Sequence, residues 1–421
     1  MVYNVITNKK WQKVAFIIAS MGYVIMAILA FTSFKRLSWY QDVRTFLDQT
    51  YYHVFQILGI IVILRAGIQY YEDHDNTILE TIPIFVFEHF LLAFIFIFFI
   101  IDFNTLMGVG ALRRAYTLRA LFYILLAGSQ YDYEEYLPWL SLASLAMMVA
   151  CIVCSKQDMI ADVLYKRSAV SIGHSLGYVW PLTFHAHFLI LVLLYLVIRR
   201  EHFTIWEMLI LLAANTYIGL LTTAKTAMIL AYVVVILAYV LHFDPVREKL
   251  SALFQWAYAF VIGIPVISML CSIIYNGNLG VWTFLDRVLN NRLRLQHNAF
   301  RQYGFAFLGR NVKWVSFGTN AKSIKESDYN YVDNTFLKTG YDYGLGLLLF
   351  FVAGFAYSIH TFIKKENYTG VLCIVVLFLL GILQHQPFEI TFNPLIFTFA
   401  PLFLVTKSDI TSSIERIREA S

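Results

Sequence analysis

The chain has 421 residues, of which 59% are hydrophobic and 14% are charged, with a formal net charge of +5. Soluble domains carry about 25% charged residues, so this composition excludes an ordinary soluble protein and predicts an integral membrane protein. The net charge says little by itself, because in a membrane protein the positions of lysine and arginine carry the information. No low-complexity tract or clear internal repeat interrupts the pattern, which predicts a single polytopic membrane domain over residues 1–421.

Apolar windows of roughly 17–25 residues, the length that crosses a bilayer as a helix, occur along the whole chain. They predict an all-α integral membrane protein with about twelve transmembrane helices. The windows lie near residues 14–32, 53–70, 82–102, 108–128, 137–155, 173–198, 203–222, 224–243, 254–276, 342–363, 370–385 and 393–406. One large loop, 277–341, separates the ninth span from the tenth.

Three short basic loops set the predicted orientation, and they contain Arg199-Arg200, Arg247 with Lys249, and Lys364-Lys365. Such loops stay cytoplasmic, and these three lie an even number of spans apart, so they agree with one another. The loop 277–341 and the short turn 385–394 then lie on the outer face. Lys156, Lys166 and Arg167 would also lie outside, so either their loop is functional or a span in the first half is miscounted.

Lys225 stands at the outer start of a predicted span, among Thr222, Thr223 and Thr226. Polar groups at a helix N-terminus form a natural anion site. The alternative is that this lysine extends its side chain to the membrane interface without binding anything. The sequence leaves both interpretations open.

The loop 277–341 carries most of the arginines of the predicted outer face. If residues 285–305 are helical, Arg294 and Arg301 are seven residues apart and share a face with His297. Leucine and phenylalanine side chains can form an apolar side of this helix, namely Leu285, Leu289, Leu293 and Phe300. The segment is therefore predicted to be an amphipathic helix that lies on the membrane surface. The arginines either grip lipid headgroups or clamp a pyrophosphate, whose oxygens match the guanidinium fork.

Four motifs in this order resemble those of bacterial oligosaccharide repeat-unit polymerases of the Wzy type, which belong to an O-antigen ligase-like superfamily. They are SLGYVWP (175–181), LTTAKTAMIL (221–230), RLRLQHNAFRQYGFAFLG (292–309) and YVDNTFLKTGYDYGL (331–345). Glu389 stands where that family often has a glutamate. Trp180 and Leu182 replace the family's histidine and asparagine. Lys225 replaces its arginine, which keeps the charge but loses the bidentate fork.

The resemblance implies an all-helical membrane glycosyltransferase that builds surface polysaccharide at the outer face of the bacterial cytoplasmic membrane. Its substrate would be an undecaprenyl-pyrophosphate-linked oligosaccharide. A hydroxyl of the incoming unit would attack the anomeric carbon of the growing chain, and polyprenyl pyrophosphate would leave. The resemblance implies no metal, no cofactor and no nucleic acid, and it implies a flippase and a chain-length regulator as partners.

Roles for single residues follow from the same resemblance. Arg292 and Arg294 are expected to bind the pyrophosphate, with Arg301 and Lys225 in support. The candidates for the general base are His297, His385 and Glu389, in no firm order, because sequence does not show which of them reaches the acceptor hydroxyl. Asp333 and Asn334 stand just before a predicted helix, where they cap it or bind sugar hydroxyls, and one residue can do both.

Two other interpretations remain open. An O-antigen-ligase-like glycosyl transferase would share the fold and the arginine loop, and only its acceptor would differ. A flippase of the lipid-linked oligosaccharide is the second alternative. Transporters often have inverted repeats and helices broken at the midplane, whereas here the polar residues gather in one outer loop.

Overall fold

A computed structural model describes residues 9–74, 121–166, 172–289, 291–307, 309–310, 312–315, 330–389 and 392–404. The α-helices are α1 (Lys9–Leu29), α2 (Tyr40–His74), α3 (Tyr133–Lys156), α4 (Pro181–Arg199), α5 (Ile205–Thr222), α6 (Lys225–Val240), α7 (Asp244–Phe254), α8 (Ala257–Ile274), α9 (Gly280–Val288), α10 (Arg292–Tyr303), α11 (Thr335–Asp342), α12 (Leu345–Lys364) and α13 (Tyr368–Gly381). Short 3-10 helices lie at Ser33–Arg36, Arg200–His202, Gln386–Phe388 and Pro394–Leu404. Two strands, β1 (Leu164–Lys166) and β2 (Ile172–His174), form an antiparallel hairpin.

Seven of the described helices are long and apolar enough to cross a membrane: Lys9–Leu29, His53–Glu72, Tyr133–Lys156, Pro181–His202, Ile205–Thr222, Ala257–Ile274 and Leu345–Lys364. The pair α6 and α7, bent by 112°, would be an eighth. These helices confirm the prediction of a mostly helical chain with membrane-length apolar segments. The window 82–102 and most of 108–128 lie outside the described residues, so the number twelve stays a prediction.

The predicted span 173–198 begins differently in the structure. Its first residues belong to β2 and a turn, and α4 begins only at Pro181. Leu176 and Gly177 take left-handed backbone conformations, with φ of 51° and 86°, which no right-handed helix contains. The residue before a proline is also driven to extended backbone, and Trp180 has φ −140° and ψ 144°.

The chain divides into two compact units. The first contains residues 1–26, 41–143 and 396–421, and the second contains residues 27–40 and 144–395. Within the first unit, the ring of Phe16 lies 5.4 Å from the ring of Tyr136, whose hydroxyl donates to the carbonyl of Phe397 at 2.8 Å. The second unit holds all the described residues of the two predicted outer-face segments.

The three basic loops meet at one end of the second unit, where Arg200, Arg247 and Lys365 line a cavity of about 100 Å³. The helix α12 leads away from this end. It has 20 residues and therefore a length of about 30 Å. Its first residue, Leu345, follows α11 closely, so the segment 331–345 lies at the opposite end from the basic loops. Which end faces the cytoplasm stays a prediction from the positions of the basic residues.

The hairpin of β1 and β2 packs at the far end of α5. A Cβ added to Gly173 would lie 2.8 Å from the carbonyl oxygen of Thr222, the last residue of α5. Since α5 begins beside the basic loops, the hairpin and its Lys166 lie at the end away from them. The same end carries the motif 331–345, and Arg167 lies outside the described residues.

Candidate functional site

The predicted helix over residues 285–305 is two helices, α9 and α10. Asn291, between them, takes a left-handed conformation with φ 63°. Asp286 stabilises the break, since its carboxylate accepts the backbone N–H of Arg294 at 3.0 Å and its carbonyl accepts that of Asn291 at 2.7 Å. The break also turns Leu293 inward, where it is 6% exposed. The prediction of one continuous apolar side formed by Leu285, Leu289, Leu293 and Phe300 is therefore wrong.

An apolar core fixes α10 against α11 and the loop between them. Its members are Ala299, Val312, Val332, Leu337 and Tyr341. The ring of Phe305 stacks on Tyr341 with centroids 4.9 Å apart and nearly parallel planes. This core holds α10 against α11 through Ala299, Leu337 and Tyr341.

Asn334 begins α11 as its N-cap. The side-chain oxygen of Asn334 accepts the backbone N–H groups of Phe336 at 3.0 Å and of Leu337 at 3.1 Å. These two donors would otherwise lack a partner within the helix. The cap fixes the direction in which Asp333, one residue earlier, leaves the helix.

The turn 385–389 is locked onto α11 by one ring and one hydrogen bond. The ring of Phe388 packs against Phe336 and Phe351 at centroid distances of 5.4 and 4.8 Å. The hydroxyl of Thr335 donates to the carbonyl of His385 at 3.0 Å. The segment 331–335 and the turn 385–389, some 50 residues apart, therefore have a fixed relation.

Four of the predicted site residues come together at this place, and we refer to them as the Arg292–Glu389 cluster: Arg292, Asp333, His385 and Glu389. The Nη2 atom of Arg292 lies 3.4 Å from Oδ2 of Asp333, and Oδ1 of Asp333 lies 4.0 Å from Nδ1 of His385. The Nε2 atom of His385 lies 3.8 Å from Oε1 of Glu389. The last two distances are longer than hydrogen bonds, and Nδ1 of His385 has no hydrogen-bond partner among the described residues.

The surroundings shift the pKa values of three side chains of this cluster. Burial raises the pKa of Asp333, and the neighbouring guanidinium opposes that shift. Burial raises the pKa of Glu389 to about 7, with Lys338 lowering it and Asp342 raising it further. Burial lowers the pKa of His385 to about 3, and the charge of Lys338 acts in the same direction. At neutral pH the imidazole of His385 is therefore uncharged. The pKa of Glu389 lies close to neutral pH, which is where a general base is most effective.

Lys338 and Asp342 form a buried ion pair beside the cluster that the sequence analysis did not identify. The Nζ atom of Lys338 lies 2.8 Å from Oδ2 of Asp342, and the side chains are 16% and 6% exposed. The indole N–H of Trp314 donates to Asp342 at 2.7 Å, and the rings of Trp314 and Tyr331 lie 4.9 and 5.1 Å from Nζ. The spacing of four residues on a helix is a signal that could have revealed the pair. Trp314 lies in an irregular loop, where no periodicity indicates a partner.

The other predicted site residues lie elsewhere. The Nδ1–H group of His297 donates to the carbonyl of Ser272 at 2.9 Å, which holds this ring on α8. Arg294 and Arg301 are exposed on α10, and Lys225 is exposed at the first residue of α6. Among the ion pairs of the described residues, none joins these four side chains to the Arg292–Glu389 cluster.

Thr222, one of the three threonines near Lys225, bonds to two helices. The hydroxyl of Thr222 donates to the carbonyl of Ile218 at 2.8 Å and lies 3.0 Å from Nδ1 of His185. It therefore joins α5 to α4. The N-cap of α6 is Ala224, whose side chain accepts no hydrogen bond. Thr222 thus supports the packing of these helices rather than an anion site at the start of α6.

No model of a known protein family, no characterised protein and no solved structure matches this chain. In the part of the chain that the structure describes, no group of three or more histidine, cysteine, aspartate or glutamate side chains is arranged to hold a metal ion. The function must therefore be inferred from the cluster itself and from the four motifs. The motifs 292–309 and 331–345 supply Arg292 and Asp333, and the turn 385–389 supplies His385 and Glu389.

Proposed function

We propose that this protein polymerises undecaprenyl-pyrophosphate-linked oligosaccharide repeat units at the outer face of the bacterial cytoplasmic membrane. The observation that carries the proposal is the convergence of Arg292, Asp333, His385 and Glu389. They come from the two segments that the basic loops assign to the outer face. A cation for an anionic leaving group and a carboxylate that titrates near pH 7 are the groups that such a glycosyl transfer needs.

Arg292 binds the pyrophosphate of the donor in this proposal. A guanidinium has five N–H donors, and the single contact to Asp333 at 3.4 Å engages only one of its nitrogen atoms. The remaining donors can bind phosphate oxygens in a bidentate manner. When the bond between the anomeric carbon and the pyrophosphate oxygen breaks, the electron pair stays on that oxygen. A fixed cation there stabilises the developing charge.

Glu389 activates the acceptor in this proposal. Its carboxylate takes the proton of the acceptor hydroxyl while that oxygen forms the new bond to the anomeric carbon. The proton then passes to solvent, and the carboxylate is restored. Neutral His385 lies between the two carboxylates, with Nε2 3.8 Å from Glu389 and Nδ1 4.0 Å from Asp333, and its one ring N–H can donate to only one of them. No nucleotide sugar is consumed.

The experiment that tests the proposal measures surface polysaccharide by gel electrophoresis in a deletion strain. The strain is complemented with the wild type, with Arg292→Ala, with Glu389→Gln, or with the control Arg287→Ala, an exposed arginine of the same loop. Membrane expression of each variant is measured alongside. We expect single repeat units in the deletion strain and in the first two variants, and long polymer with the wild type and the control.

Three outcomes would contradict the proposal or part of it. Long polymer that stays unattached to its final acceptor in the deletion strain would indicate a ligase. Lipid-linked units that accumulate on the cytoplasmic side of the membrane would indicate a flippase. Normal polymer with Arg292→Ala would show that this arginine does not bind the leaving pyrophosphate.

A further inference from the structure

The helix α9 carries an apolar face that no described residue covers. Val281, Phe284, Leu285 and Val288 stand at positions i, i+3, i+4 and i+7, which is one face of a helix. They are 71%, 64%, 38% and 60% exposed. Leu279, directly before the helix, is 54% exposed. Four neighbouring apolar side chains on one face of a nine-residue helix form a continuous patch rather than scattered exposure.

The opposite face of α9 is attached to the protein. Asp286 is 5% exposed, and its carboxylate accepts the backbone N–H of Arg294 at 3.0 Å and the hydroxyl of Tyr275 at 3.3 Å. The ring of Trp282 packs edge-on against Tyr275, with centroids 5.9 Å apart. These contacts determine how α9 is rotated about its axis, so the apolar face points away from α10.

The patch continues an apolar surface of α8, one of the helices of membrane-spanning length. On α8 the side chains of Phe260, Ile267, Leu270 and Ile274 are 48%, 60%, 49% and 56% exposed. Exposed apolar side chains on a spanning helix face lipid chains. Only the residues 275–279 separate Ile274 from α9, so α9 begins where α8 leaves the membrane.

We propose that α9 is an interfacial membrane helix whose apolar face is covered by the hydrocarbon chains of the leaflet on that side. Helices of this kind lie in the interface plane, with the apolar face about 5–10 Å below the headgroup boundary. Arg287 is exposed on α9 outside the apolar face, where a cation meets headgroup phosphates. The arrangement places the N-terminus of α10, with Arg292, at headgroup depth.

The test places single spin labels on the chain in liposomes of neutral and anionic phospholipid. In a chain whose cysteines at 151, 154, 271 and 373 are replaced by alanine, labels are attached to Phe284→Cys and Val288→Cys. Thr283→Cys, exposed on the polar side of α9, is the matched control, and Ile267→Cys reports a lipid-facing position. We expect the labels at 284 and 288 to be relaxed more by oxygen than by a water-soluble nickel chelate, as at 267, and the label at 283 to show the reverse.

Two results would overturn the proposal. Nickel access at 284 and 288 equal to that at 283 would show that water covers the face. Labels immobilised and shielded from both relaxing agents would show that protein covers it.

A second measurement is made in the chain that keeps its four native cysteines. Phe284→Asp should lower the unfolding temperature in lipid nanodiscs more than Thr283→Asp does. Equal shifts would count against membrane contact.

Discussion

The guanidinium of Arg292, on the first residue of α10, lies 3.4 Å from the carboxylate of Asp333, which is 41 residues later and directly precedes the cap of α11. Hydrogen bonds between an arginine and a carboxylate are usually about 2.7–2.9 Å long. The contact is therefore loose. It keeps Arg292 close to Asp333 without engaging all of the guanidinium N–H donors, which suits a side chain that binds a substrate in the proposed function.

We expect Arg292→Lys to polymerise slowly, although it keeps the charge. Lysine provides a point charge in place of the planar fork, and a site that relies on bidentate contacts does not tolerate the exchange. The rate should fall by about 10²-fold, the size of the effect of losing one transition-state donor. The measurement is the initial rate of the purified protein on lipid-linked repeat units. Arg287→Lys, in the same loop, should keep the wild-type rate, and an equal loss in both variants would contradict the assignment.

We expect the polymerisation rate to rise with pH through about 7 and then to level off. The reason is that Glu389 must be ionised to accept a proton, and burial raises its pKa to about 7. Glu389→Gln should lower the rate and remove this pH dependence. A wild-type rate that does not change between pH 6 and 8 would exclude Glu389 as the general base, if chemistry limits the rate.

The same shift predicts how stability depends on pH. The pKa of Glu389 in the folded chain lies above its ordinary value of 4.5, so the folded chain holds this proton more tightly than the unfolded chain does. The contribution of Glu389 to the free energy of unfolding is therefore largest at low pH. It decreases as the pH rises from 4.5 to about 7. Unfolding measured at several pH values should show a smaller decrease for Glu389→Gln than for the wild type.

Lys338→Met should destabilise the fold more than the double variant Lys338→Met with Asp342→Asn. The single change leaves a buried carboxylate without its cation, which costs about 3–5 kcal/mol, whereas removing both charges avoids most of that cost. Chemical unfolding in detergent measures the difference. Equal or additive losses would show that the two charges do not interact.

Lys338→Met should also move the pH dependence of the reaction. The ammonium lowers the pKa of Glu389, so its loss raises that pKa, and the midpoint of the rate profile should move to higher pH. A change that only loosened α11 would lower the rate at every pH and leave the midpoint unchanged. The midpoint thus separates the electrostatic role of Lys338 from a structural one.

Much of the helical architecture can be predicted from the sequence, because a membrane span requires both length and apolarity. The window 254–276 matches α8, and 203–222 matches α5, to within a few residues. Hydrophobic patterns gave the wrong helix boundaries where local backbone geometry or a tertiary contact determines where a helix begins or ends. The left-handed turn at Leu176 delays α4, and the Asp286 carboxylate divides the predicted helix 285–305.

The members of the candidate site could be predicted by residue type, but their arrangement could not. Arg292, Asp333, His385 and Glu389 are polar side chains in segments assigned to the outer face, so each was a candidate. Their convergence depends on contacts between segments some 40 to 50 residues apart, such as the hydrogen bond from Thr335 to the carbonyl of His385. Hydrophobic periodicity contains no information on such contacts.

Asn334 offers a way to separate a capping role from a substrate contact. Its side-chain oxygen caps α11, while its Nδ2 atom is buried and has no hydrogen-bond partner among the described residues. Asn334→Ala should lower the free energy of unfolding by about 1 kcal/mol, and Asn334→Ser, which also caps well, should restore most of it. If the amide donates to a sugar hydroxyl of the substrate, as the proposed function allows, both variants should show a raised KM. A serine variant with wild-type stability and wild-type KM would show that Asn334 is a cap alone.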